Sequence, residues 1–142
     1  MLADLAIGFL MNIVAMLVHL AATLLILIIV RALEKPLEKS PYGLMVTVLL
    51  SINIVLMVAH IIEVGVWACL FFQLELTSSF SNAFYSAFVI NTTLGLGDVA
   101  PAIRTRLLMP FSAASGILMI GWSTALLIYA LQTFLPHLSR RR

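Results

Sequence analysis

The sequence predicts an all-α membrane protein, with three helices that cross a bilayer and one short helix that enters it without crossing. Three observations carry this. Of 142 residues, 63% are hydrophobic and 10% charged, whereas a soluble domain carries about 25% charged residues to keep its surface wet. Three apolar stretches each exceed the roughly 20 helical residues that cross about 30 Å of hydrocarbon. Between the second and third lies LELTSSFSNAFYSAFVINTTLGLGDVAP, too short in its apolar part to span and too apolar for a soluble loop. The length fits a single domain.

The first span is expected over residues 5–33. Its beginning, residues 1–16, lacks the positive n-region and small-residue cleavage site of a signal peptide, so it is expected to be retained. The connector EKPLEKSPYG follows, with Pro36 and Pro41 as breakers. The second span is expected over residues 43–73. Thr77, Ser78 and Ser79 then offer N-cap hydroxyls, and a helix is expected within residues 78–91. Its apolar part, 80–90, is roughly 16 Å long at 1.5 Å per residue, too short to cross. A short helix followed by irregular backbone at membrane depth is tolerated only inside protein or beside a water-filled path, so this segment reads as re-entrant. The third span is expected over residues 104–135, with Pro110 in its first turns, and a basic tail occupies 136–142. No internal repeat is visible.

The charges exclude some functions and set an orientation. A net charge of +2, with basic residues at segment ends, gives no surface for nucleic acid; membrane lipids are the expected surroundings. Lone Cys69 cannot form an intrachain disulfide. Arg31, Lys35, Lys39, Arg140, Arg141 and Arg142, six of the eight Lys and Arg residues, fall on one side, which is therefore assigned to the cytoplasm. The N-terminus and residues 73–104 are then outside, in a multi-pass protein of the cell's inner (plasma) membrane. Arg104 and Arg106, beside the external end of the third span, are expected in the headgroups or paired with Glu75 or Asp98. No row of arginines at every third position marks a voltage sensor, and no nucleophile–base pair marks an enzyme.

The most polar and flexible stretch is NTTLGLGDVAP, residues 91–101. A dinucleotide loop needs G-x-G-x-x-G after a strand, but Ala100 holds the third glycine's place and no strand precedes. A Walker loop needs Gly-Lys-Ser/Thr, which is absent. A helix C-cap with Gly95 at C′ accounts for one glycine but not for two at alternate positions. Backbone geometry offers a further reading. Aiming successive carbonyls the same way requires residues to alternate between right- and left-handed conformations, and glycine enters the left-handed region at low cost. Gly95 and Gly97, alternating with Leu94 and Leu96, have that spacing. Oxygens from Thr93, Leu94, Gly95 and Leu96 would replace the water shell of a monovalent cation.

NTTLGLGDVAP closely resembles the Thr-Val-Gly-Tyr-Gly-Asp filter of tetrameric potassium channels, in both threonines, both glycines, the aspartate and the following proline. FYSAF resembles the aromatic pore helix, and HIIEVGVWA and GILMIGWSTALL resemble small bacterial channel proteins with one extra helix before the pore unit. The resemblance covers about residues 43–135. It implies four copies around one axis, ions held at Thr93, Leu94, Gly95 and Leu96, and Gly97 permitting the turn; Thr92, Asp98, Glu63 and Tyr85 are candidate supports of the filter. Residues 78–91 would be the pore helix, 92–98 the filter and 104–135 the inner helix. Two residues depart from the pattern. Leu96 stands where tyrosine is commonest, and Val89 stands where many members carry a glutamate that braces the aspartate.

Other polar residues lie deep in the spans. His60 and Glu63 share one face of the second span, where a carboxylate costs about 2.5–3.5 kcal/mol and must face protein or water. Glu63 either makes a structural hydrogen bond within the bundle or braces the pore loop through Tyr85, Asn91 or Asp98. As a metal site, His60 and Glu63 are too few, with no further ligand beside them in the sequence. His19 is expected in an interhelical contact, and Trp67 at a packing or interface position. On the third span, Gly116 and Gly121 are candidate hinges, and Ser115, Met119, Ser123 and Thr124 candidate cavity residues. The implied function is passive, potassium-selective conduction by a homotetramer needing no cofactor but the permeant ion. A non-selective cation channel and a non-conducting partner subunit are the rivals.

Overall fold

A computed structural model describes residues 2–34, 41–95 and 106–139. They form four helices: α1 (Leu2–Glu34), α2 (Pro41–Gln73), α3 (Phe80–Asn91) and α4 (Leu108–Ser139), with no strand among the described residues. α1, α2 and α4 are each long and apolar enough to cross a membrane. α3 has 12 residues, about 18 Å of helix, and cannot cross. The expected all-α architecture of three spans and one short helix is therefore present. Pro41, expected as a breaker, opens α2, because a proline at the first helical position loses a hydrogen bond that position never makes. α4 begins at Leu108, later than the expected 104, with Pro110 in its first turn. It also runs past Pro136 to Ser139, beyond the expected end at 135.

The re-entrant segment begins with a sharp stop. Leu76 N–H bonds the Phe71 carbonyl and Glu75 N–H the Phe72 carbonyl, both at 3.0 Å. This pair of bonds is a Schellman closure of α2, with Glu75 as the left-handed residue at φ 55°. Leu76 packs back on the cluster that contains Phe71, the apolar contact that accompanies this turn. Five residues after Glu75, α3 starts at Phe80, capped by Ser79, whose hydroxyl accepts from the Asn82 N–H at 3.2 Å. The predicted cap is thus Ser79, while the Ser78 hydroxyl accepts from the Asn82 side chain.

The core divides along the bundle. At one end Ile26 and Val30 of α1 meet Val48, Ile52 and Leu56 of α2 and Leu126, Ala130 and Phe134 of α4. At the other, Val64, Trp67, Ala68 and Phe71 of α2 meet Ala83 and Ala87 of α3 and Leu108 of α4, with Ile7 and Met11 of α1 packed alongside. The order of these positions runs α1 and α4 in one direction and α2 in the other. At Gly8, α1 lies close against Phe111 of α4, where a Cβ would be 2.5 Å from Phe111 Cγ. Trp67 is fully buried against Phe71 with ring centroids 6.1 Å apart, the packing role expected for it. Large apolar side chains such as Phe9, Ile28, Leu50, Ile54 and Ile117 remain exposed, a surface suited to lipid rather than water.

Because Glu75 holds a left-handed conformation that costs a side-chain-bearing residue about 1–2 kcal/mol, Glu75→Gly is expected to raise thermal stability in detergent by about 1 kcal/mol. Glu75→Val, β-branched in that conformation, is expected to lower it; equal melting temperatures for all three proteins would contradict the assignment.

Candidate functional site

The loop after α3 is built from the helix's own unsatisfied carbonyls. Thr92 caps the helix, its N–H bonding the Phe88 carbonyl at 3.0 Å and its hydroxyl donating to the same carbonyl at 2.8 Å. Thr93 N–H bonds Ile90 O at 2.9 Å and Leu94 N–H bonds Val89 O at 3.0 Å, a second Schellman closure. Its left-handed residue is Thr93, at φ 59°, so C′ is Thr93 and not Gly95. Gly95 is left-handed in turn, at φ +56°, and its N–H also points at Val89 O, 3.4 Å away. Leu94 between them has no positive φ. Handedness therefore alternates over 93, 94 and 95, one residue earlier than the glycines alone imply. The N–H groups of this stretch are committed to α3, which leaves acceptor oxygens as its groups for a ligand. A Cβ at Gly95 would meet nothing closer than 3.8 Å, so glycine is required there by conformation and not by space.

Two features fasten the end of α3 to α4. Buried Asn91 donates from its side-chain nitrogen to the Ser112 carbonyl at 3.1 Å and to the Ser112 hydroxyl at 3.4 Å. One turn further along α4, Gly116 lies so close that a Cβ would sit 1.8 Å from the Asn91 carbonyl oxygen. Gly116, a candidate hinge, is therefore a contact point where two backbones touch. Gly121, the other, has nothing within 4 Å of its Cβ direction. Ser115 and Met119, expected to line a cavity, are buried within the single chain, because that face of α4 packs on the bundle. Ser115 Oγ has no hydrogen-bond partner among the described residues. The open face of α4 carries Gly121 and Thr124 instead, with the Thr124 hydroxyl bonded to the Ile120 carbonyl.

Between the two apolar clusters lies a polar ring that joins three helices. His19 Nδ1 of α1 is 2.7 Å from Glu63 Oε1 of α2, and His60 Nδ1 is 3.0 Å from Glu63 Oε2. His60 Nε2 is 2.9 Å, and His19 Nε2 3.4 Å, from Ser123 Oγ of α4. His19 and Glu63 are fully buried, while the His60 side chain is 25% exposed. Trp122 covers His19 with ring centroids 5.5 Å apart. The ring closes through four hydrogen bonds, yet two neutral imidazoles and one hydroxyl bring only three protons.

This arrangement bears on two expectations. Both Glu63 oxygens face histidines from within the bundle and the Asn91 side chain bonds Ser112, which is the first of the two readings of Glu63, a structural bond within the bundle. The His60–Glu63 pair does have a third ligand beside it, since His19 arrives from another helix 44 residues away. The sequence puts His60 and Glu63 on one face but does not join His19 or Ser123 to them, and the links from Asn91 to Ser112 and Gly116 had no signal in it. Of the other expected site residues, Tyr85 is exposed on α3 and Val89 is buried. Leu96, Gly97, Asp98 and Arg104 lie outside the described residues.

A family model described as an ion channel matches residues 45–133. The match spans α2, α3 and most of α4, and leaves out α1. No curated protein and no solved structure matches the chain.

Two outcomes test this geometry. Gly116→Ala pushes a methyl group into the Asn91 backbone, and overpacking of this kind costs about 1–3 kcal/mol; unfolding in detergent should show at least that loss, whereas Gly121→Ala should be near neutral. In a double-mutant cycle, His19→Phe and Glu63→Gln should each destabilise by about 3 kcal/mol. The double variant should lose less than their sum, with coupling of about 1 kcal/mol or more; additive losses would mean that the two side chains do not act on one another.

Proposed function

The chain belongs to the ion-channel family, and from that premise we propose that it is a potassium-selective channel working as a homotetramer. The observation that carries the reading is the alternation of handedness at Thr93, Leu94 and Gly95, with the N–H groups tied back to α3. A backbone held in this way offers oxygens in a row, and such a row can replace the hydration shell of a desolvated cation. The full filter would be Thr92-Thr93-Leu94-Gly95-Leu96-Gly97-Asp98. Four chains are needed because one chain contributes one loop and cannot close a ring of oxygens. α3 would direct its negative C-terminal dipole end toward the permeant ion. Gly121 and Thr124, on the open face of α4, would face the inner cavity. Conduction is passive, needs no covalent chemistry and uses the permeant ion as its only ligand. In the inner (plasma) membrane, the basic connector and tail would lie in the cytoplasm and the loop outside.

A second reading has its own support. Val89 is apolar and buried, and Glu63 is engaged by His19 and His60, so neither supplies a carboxylate-side brace for Asp98. A less firmly braced loop favours a non-selective monovalent cation channel on the same fold.

Reversal potentials of the reconstituted protein in potassium/sodium gradients separate the two. A potential near the potassium equilibrium value is expected, and one near zero would favour the non-selective channel. Gly95→Ala, forced into a left-handed conformation at about 1–2 kcal/mol, is expected to abolish flux. Absence of any cation flux from the unaltered protein would point to a non-conducting partner subunit.

A further inference from the structure

We propose that His19, His60 and Glu63 form a binding site for a zinc-type transition-metal ion, which would clip α1 to the channel unit. The site is remote in sequence from the loop at 92–95 and stands whether or not that loop selects potassium. One ligand atom from each of the three residues lies within 4.8 Å of the others. Around zinc, nitrogen and oxygen ligands sit at about 2.0–2.1 Å in tetrahedral geometry, which puts them roughly 3.3 Å apart. The Nδ1 atoms stand 2.7 and 3.0 Å from the two carboxylate oxygens, and with all three ligand atoms within 4.8 Å of one another side-chain adjustments of about 1 Å reach that geometry. Two imidazoles and one carboxylate suit zinc, copper, nickel or iron, whereas calcium and magnesium prefer sets of oxygens.

The rest of the ring fits the same ion. When both Nδ1 lone pairs bind metal, each histidine carries its proton on Nε2. Ser123 Oγ lies 2.9 and 3.4 Å from those two nitrogens and has two lone pairs to accept them. This is the position of the outer partner that orients a metal-bound imidazole. The ion takes the place of the hydrogens between the imidazoles and the carboxylate. Three protein ligands leave a fourth position for water. The partly exposed edge of His60 provides the approach, while fully buried His19 and Glu63 hold the ion away from bulk solvent.

The three helices that supply the ring include the one outside the family match. A bound ion would therefore join α1 to α2 directly and to α4 through Ser123. This is a stronger bond between the extra helix and the channel unit than packing alone.

The full chain, carrying Cys69→Ser to remove the exposed thiol, is stripped with chelator in detergent and dialysed against zinc at micromolar free concentration. The expected result is one zinc per chain, undiminished by millimolar magnesium. The affinity should fall tenfold or more in His19→Gln, His60→Gln and Glu63→Gln. No saturable binding, or binding unchanged in all three variants, overturns the site. If the variants do not fold, cobalt(II) added to the Cys69→Ser chain decides. An intense visible absorption typical of four or five coordination, displaced by zinc, supports the site. The weak spectrum of a six-coordinate aqueous ion overturns it.

Discussion

The carboxylate of Glu63 is the group around which the bundle is arranged. Buried between apolar clusters and far from water, it must be met by donors from the protein. Those donors come from its own helix, through His60, and from α1, through His19. Ser123 of α4 then closes the circuit. Apolar packing between membrane helices is only weakly directional, because lipid tails are as oily as leucine. A closed polar ring fixes the depth at which three helices meet. The apolar clusters on either side fill the space that this register defines. α1 lies outside the ion-channel match over residues 45–133, and the ring is its polar attachment to the matched unit.

The re-entrant segment depends on a different device, used twice. α2 and α3 both end in Schellman turns, and both put a side-chain-bearing residue, Glu75 and Thr93, in the left-handed position usually given to glycine. The first turn reverses the chain so that α3 can start within five residues. The second commits the N–H groups of the loop to α3. Left-handed threonine is a strained conformation, and strain of this kind is held only where surrounding structure imposes it. The imposing contacts are at hand. Asn91 is bonded to Ser112, and Gly116 lets α4 touch the Asn91 backbone, so the end of α3 cannot move to relieve Thr93.

What could be read in the sequence follows from how local each signal is. The spans and the short helix were legible because length and apolar content act within one segment. Ser79 was legible among the candidate caps because the capping bond reaches only three residues. The ring was not, since Glu63 and His19 are 44 residues apart and a single sequence carries no record of their contact. Glu63 was accordingly assigned to the nearer pore loop as one alternative, when its partner lay in the first helix. The left-handed conformation expected at Gly95 is present, because glycine takes it at least cost, but the one at Thr93 had no signal. Yet the helix end is set by Asn91 and Gly116, which puts C′ at Thr93. Ser115 and Met119 look like cavity residues by type and position, but which face of α4 is turned inward depends on packing that composition does not encode.

The central claim is that the backbone after α3 presents its carbonyl oxygens to potassium. Solid-state NMR of the reconstituted protein, with 13C at the carbonyls of Thr93, Leu94 and Gly95, tests it most directly. On exchange of sodium for potassium, these three resonances should shift together and saturably, while the Phe80 and Ala83 carbonyls of the same helix stay fixed. Carbonyl shifts that are identical in the two ions would contradict it.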